Sequence, residues 1–156
     1  MDKIKALSVA GIISTMFFAG CSIQVAPTKG DVKTVLYDEG GSISVREEEI
    51  AALAKSGTRV EIIGTCISTC TMYLSLPNTC VAPDATLGFH GATEVLFVPA
   101  TPYNKLRYDR RMAAHYPPNL HKWFMTEGRD LIILWHSKTG QEVHDMDPGY
   151  VRLCSN

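Results

Sequence analysis

An α/β fold built on a mostly parallel sheet is expected for this chain on three grounds. Two short runs rich in β-branched residues, Val32 to Tyr37 and Thr58 to Ile63, flank a segment with helical signals. The second run carries Val60, Ile62 and Ile63 with little polar alternation, as expected of a strand covered on both faces. Strand, helix and strand in succession imply a right-handed crossover between parallel strands, which brings the loops that follow both strands to one carboxyl edge of the sheet.

The elements follow in order. The first strand runs into Asp38-Glu39-Gly40-Gly41-Ser42, a loop that needs unusual backbone angles. Ser44 and Glu47 have capping-box spacing, Glu47 to Glu49 place negative charge in a first turn, and Ile50 and Leu53 begin an apolar face that Gly57 ends. After the second strand, Met72, Tyr73, Leu74 and Leu76 belong to a helix apolar all round, hence buried, and stopped by Pro77 and Asn78. Short strands are expected at Cys80 to Ala82 and Thr86 to Phe89, separated by a Pro83-Asp84 turn. A helix runs from Pro102 to about His115, and another covers Asn119 to Thr126 with Leu120, Trp123 and Phe124 as its packing side. Leu131 to Trp135 reads equally as a short buried strand or a buried helical turn, because a brief apolar run does not show its period. Thr139 to Asp145 is expected as helix and Tyr150 to Cys154 as strand.

Ser68 lies where the second strand gives way to a helix, and His90 follows 22 residues later at the end of another strand. A hydroxyl at a helix start sits beside unpaired N–H groups that favour developing negative charge, and a histidine at the same sheet edge is placed to take its proton. Serine is also a common helix cap, and Gly40-Gly41 alone is an ordinary tight turn, so the constellation matters more than any member.

The amino-terminal segment points to export. Lys3 and Lys5 precede an apolar stretch, Ala6 to Phe18, whose 13 residues are too few to span a bilayer. Phe18-Ala19-Gly20-Cys21 resembles a bacterial lipobox, in which the cysteine becomes the lipidated, palmitate-bearing N-terminus. The expected organisation is a lipoprotein signal peptide at 1–20, a tether at 21–30 and one folded domain at 31–156. Such a chain faces the periplasm from a lipid anchor on Cys21, and Ser22 favours the outer over the inner membrane. Loss of Lys3, Lys5 and Asp2 with the signal leaves a net charge of −2, which gives no reason to expect a nucleic-acid partner. Lys105, Arg107, Arg110 and Arg111, interleaved with Asp109, read as a solvated helix face.

Four cysteines remain: Cys66, Cys70, Cys80 and Cys154. An even number in an exported chain implies two disulfides in one of three connectivities, and a bridge near Ser68 would brace its turn. Their spacing lacks a CxxC knuckle, so no metal site is expected. His115, His121, His136 and His144 form no ligand pattern, no nucleotide-binding loop occurs, and no cofactor is expected.

The succession Gly40-Gly41-Ser42, helix, strand, Gly64-x-x-x-Ser68, then Pro83-x-Ala85-x-Leu87-Gly88-Phe89-His90 resembles the Clp-protease and crotonase superfamily. Cys66-x-Ser68-x-Cys70 with Gly88-Phe89-His90 is similar to its exported bacterial branch. The resemblance covers Val32 to His90 well and the rest in outline. It implies a crotonase-like fold of stacked ββα units, truncated at the N-terminus, and is compatible with a homo-oligomer, although assembly helices are not obvious. By the same resemblance Ser68 is a nucleophile, His90 a general base, and the Gly41 and Thr69 N–H groups bind an oxyanion. The family's peptidases carry an acid after the histidine; register points to Asp130, with Asp145 as the other candidate.

Two functions of different class follow. One is an ATP-independent serine peptidase or acyl hydrolase of the cell envelope acting on a peptide or acyl substrate. The other is a catalytically inactive lipoprotein that keeps the core as a binding or assembly module. An acyl-CoA enzyme ranks below both, because coenzyme A is not expected outside the cytoplasm.

Overall fold

The computed structural model describes residues 30–94 and 101–155. The expected signal peptide, Cys21 and residues 21–29 of the tether lie outside the described residues. The fold is mixed α/β, with a curled, mostly parallel six-stranded sheet. Its elements are β1 (Val32–Asp38), α1 (Ile43–Ser56), β2 (Arg59–Ile67), a 3₁₀ helix (Ser68–Ser75), β3 (Thr79–Val81) and β4 (Thr86–Phe89). Then come α2 (Pro102–Ala113), α3 (Pro118–Trp123), a π-helical turn (Phe124–Gly128), β5 (His136–Thr139), α4 (Gly140–Met146) and β6 (Arg152–Leu153).

β2 is the spine. β1 pairs with one edge in parallel; on the other edge Val60 to Ile62 pair with β3, and Thr65 to Ile67 pair with β4. This fork curls the sheet. β6 extends it beyond β3 in parallel, and β5 closes the β4 edge antiparallel. The register of β1 against β2 shifts between Val35 and Tyr37, where Gly64 lies so close to Leu36 that a Cβ would stand 2.0 Å from its carbonyl oxygen. Only glycine fits that bulge.

Tyr73, Phe89, Phe124, Met72, Leu87 and Met112 are fully buried in one core. Phe89 meets Tyr116 and Trp123 edge-to-face at centroid distances of 5.7 and 5.4 Å, the geometry that the ring quadrupoles favour. The cysteines pair as Cys66–Cys70 and Cys80–Cys154, with Cα separations of 5.3 and 4.9 Å. The second bridge ties β3 to the segment after β6.

Several expectations are corrected. β2 is not covered on both faces: Val60 and Ile62 are fully buried, but Arg59 and Ile63 are exposed, so its outer face is open. α1 begins at Ile43 behind Ser42, which puts Ser44 inside the helix and rules out a Ser44–Glu47 capping box; Arg111 of α2 instead bonds both the Ser44 hydroxyl and the Glu47 carboxylate. That box occurs instead at the start of α4, between Thr139 and Glu142. The segment after Ser68 is buried as expected but is wound as the tighter 3₁₀ form. The expected helix at Asn119 to Thr126 changes to a π turn at Phe124, where Arg129 N donates to the Phe124 carbonyl. Leu131 to Trp135 is neither strand nor helix, and Ile133 and Leu134 are exposed. The run is pinned at its ends, by the Gly91 N–H on the Leu131 carbonyl and by pairing of His136 with Phe89, not by burial. Among the described residues no helix is long and apolar enough to cross a membrane.

Candidate active site

β2 ends at Ile67 in extended backbone, and Ser68 then turns into the left-handed region at φ 60°. A non-glycine residue there costs on the order of 1–2 kcal/mol, and the surroundings over-determine it. The Cys66–Cys70 bridge brackets the turn and is itself fully buried. From behind, Tyr116 donates to Thr71 Oγ1 at 2.7 Å, and Thr71 donates to the Ser68 carbonyl at 2.6 Å. Burial raises the Tyr116 pKa, which keeps the phenol a donor. The serine is thus fixed on both sides, with its side chain on a cleft.

The glycine loop closes the front. Gly40 has φ 93°, and a Cβ on it would stand 2.7 Å from Ser68 Cβ and 2.8 Å from Thr69 N. The backbone can pass this close only without a side chain. Asp38 accepts from Gly40 N at 2.8 Å with one carboxylate oxygen and pairs through the other with Arg46 at 2.7 Å. Arg46 is buried, stacks over the Tyr73 ring at 4.5 Å and bonds its hydroxyl. Burial raises the Tyr73 pKa. Arg46 and Asp38 therefore hold the loop against Ser68, a role with no signal in the sequence beyond a charged residue in a helix.

Gly41, Ser68, Thr69 and His90 line one cleft of about 930 Å³, walled by Tyr108 and Met112 of α2. The start of the 3₁₀ helix leaves its first N–H groups without intrahelical acceptors, and Thr69 is among them. The Thr69 hydroxyl is buried with no hydrogen-bond partner among the described residues. Together the glycine loop and Thr69 make a concave backbone edge beside the serine, suited to an oxyanion.

His90 follows β4, and its Nδ1 meets the Gly91 carbonyl at 2.8 Å. A carbonyl oxygen only accepts, so Nδ1 carries the proton and neutral His90 keeps its lone pair on Nε2. Among the described residues no hydrogen bond joins the Ser68 hydroxyl to His90. Catalytic hydrogen bonds without substrate are often long, so sharing the cleft is the relevant fact.

Among the described residues the acids expected behind His90 bond other partners. Asp130 Oδ1 is 2.6 Å from Nε2 of His136, the first residue of β5, and this bond holds the Asp130 carboxyl below its usual range. Asp145 accepts from Gln141 at 2.8 Å on the exposed side of α4. Asp147 caps α3 through Asn119 N and Leu120 N. One carboxylate that the sequence reads as solvated is linked to His90 through a single peptide. Asp109 of α2 is fully buried and accepts from Ala92 N at 2.7 Å, Lys105 Nζ at 2.8 Å and Arg129 Nη1 at 3.0 Å. The basic face of α2 is accordingly split: Arg107 and Arg110 are exposed, while Lys105 and Arg111 turn to Asp109 and Glu47. Its i, i+4 spacing from Lys105 is the only trace of this in the chain.

Comparison with protein-family models and with curated proteins gives no match to this chain.

Proposed function

We propose that this chain is an ATP-independent serine peptidase or acyl hydrolase of the bacterial cell envelope, built on a crotonase-like core. The observation that carries the reading is Ser68, held at φ 60° between strand and helix, packed on Gly40 and sharing a cleft with His90. A strained strand-to-helix turn that sets a serine on the wall of a cleft, beside N–H groups without intrahelical acceptors, suits acyl transfer. Ser68 Oγ attacks a carbonyl carbon while His90 Nε2 takes its proton. The Gly41 and Thr69 N–H groups receive the oxyanion, each such donor lowering the barrier by about 2.7–4 kcal/mol. His90 returns the proton to the leaving amine or alkoxide, and water then cleaves the acyl-enzyme by the same route. The lipid anchor on Cys21 and the periplasm-facing, outer-membrane location belong to this proposal, as does membership of the exported branch of the Clp-protease and crotonase superfamily.

That His90 bonds the Gly91 carbonyl, and no carboxylate among the described residues, favours a second reading, a non-catalytic binding module on the same core. Hydrolysis of activated esters and of unstructured peptides by the oxidised chain separates the two. The hydrolase reading expects turnover that falls by at least 10³-fold in Ser68→Ala, with folding unchanged. Equal rates in wild type and Ser68→Ala would support the module.

A further inference from the structure

Resting on the reading of His90 as general base, we propose that Asp109 is the positioning residue that sets the His90 tautomer, acting through the peptide group between Gly91 and Ala92. The two hydrogen bonds concerned belong to one peptide. Its carbonyl, from Gly91, takes the His90 Nδ1 proton at 2.8 Å, and its N–H, from Ala92, donates to Asp109 Oδ1 at 2.7 Å. Imidazole and carboxylate thus stand at opposite ends of a single planar dipole. A buried carboxylate is a strong acceptor, and bonding to the N–H draws charge toward the carbonyl oxygen, making it a better acceptor for the ring. A direct histidine–acid pair does the same work without the intervening peptide.

The surroundings fix this peptide in one orientation. Asp109 Oδ2 takes Lys105 Nζ at 2.8 Å and Arg129 Nη1 at 3.0 Å, so the carboxylate is held by both cations while Oδ1 is aimed at Ala92. Lys105 Nζ also donates to the Arg129 carbonyl at 2.9 Å, and Gly91 N donates to the Leu131 carbonyl at 2.8 Å, which anchors the chain on the near side of the peptide. Gly91 is required for this closeness. A Cβ there would lie 2.4 Å from both Lys105 Nζ and the Arg129 carbonyl oxygen, and any side chain would push the cluster off the peptide. Free histidine side chains favour the proton on Nε2, the tautomer that cannot accept from Ser68. The Asp109 cluster reverses that preference at His90.

The test is ¹⁵N NMR of the imidazoles in the full oxidised chain, at a pH where His90 is neutral, together with hydrolysis kinetics. Wild type is expected to show His90 with a protonated Nδ1 and a bare Nε2. Asp109→Asn is expected to shift His90 toward the Nε2–H form and to lower kcat by roughly 10²–10⁴-fold with KM nearly unchanged. Asn leaves two cations facing an amide, so the pair Asp109→Asn/Lys105→Met, which removes one of them, carries the same test where the single variant does not fold; Lys105→Met alone should keep Nδ1–H. The tautomer is read without substrate. A wild-type His90 protonated on Nε2, or a folded Asp109 variant that retains Nδ1–H, overturns the proposal. A correct tautomer with no hydrolysis counts against the hydrolase reading and not against Asp109.

Discussion

Ser68 combines two costs, a left-handed backbone and a hydroxyl facing a cleft, and they can be separated by substitution. At an ordinary position glycine is less stable than alanine by about 0.5–1 kcal/mol, because it loses more freedom on folding. At φ 60° the sign should reverse, since alanine keeps a strain of about 1–2 kcal/mol that glycine does not feel. Ser68→Gly is therefore expected to be more stable than Ser68→Ala by about 0.5–1 kcal/mol in urea denaturation, and both should be inactive. At this scale the residues gathered around the cleft were legible: Gly40, Gly41, Ser68 and His90 announce themselves by type and by position at strand ends. Asp109 and Arg46 were not, because a charged residue at helical spacing reads as solvated, and only tertiary packing buries it.

Among the elements, β1, α1, β2 and β4 were legible as elements from their apolar runs, and the left-handed Gly57 ends α1 as its position suggests; β2, however, continues to Ile67, four residues past the run that announces it. β5 was not. Its sequence, His-Ser-Lys-Thr, has no apolar face, and the strand exists because backbone groups at the edge of β4 need partners. The two bridges act differently by length. Cys66–Cys70 spans four residues and stiffens one turn, whereas Cys80–Cys154 closes a loop of 74 residues and removes far more freedom from the unfolded chain. Replacing Cys80 and Cys154 by Ser should cost about 2–5 kcal/mol of stability, read from chemical denaturation, while leaving the serine turn intact. The choice among three connectivities was not legible, since it depends on which strands neighbour β3.

Over the whole molecule, helix α1, α2 and the end of the 3₁₀ helix meet at His115, which links pH to stability. Its Nδ1 faces the Ser75 hydroxyl at 3.0 Å; Nε2 lies 3.9 Å from Glu47, which Arg111 also holds. Burial lowers the His115 pKa below its ordinary 6.5, outweighing the pull of Glu47. Below pH 6.5 the unfolded chain takes up the proton first, so the stability contributed by neutral His115 is present above 6.5 and is lost as pH falls through its folded value. The arginine bond lowers the Glu47 pKa, so its contribution is present above 4.5 and is lost in more acid solution. His115→Asn, which keeps a donor toward Ser75, should flatten the first of these losses when denaturation midpoints at about pH 7.5 and 5.5 are compared.

The sheet edge that gathers Ser68, the glycine loop and His90 is the central feature of the molecule, and covalent trapping addresses it most directly. The oxidised chain is treated with a fluorophosphonate, and the adduct is mapped by peptide mass spectrometry. Phosphonylation of Ser68, abolished in Ser68→Ala and slowed by at least about 100-fold in His90→Ala, is the predicted result. A folded, oxidised wild type that takes no label, or one labelled at any other residue, would contradict the assignment of Ser68 as the nucleophile.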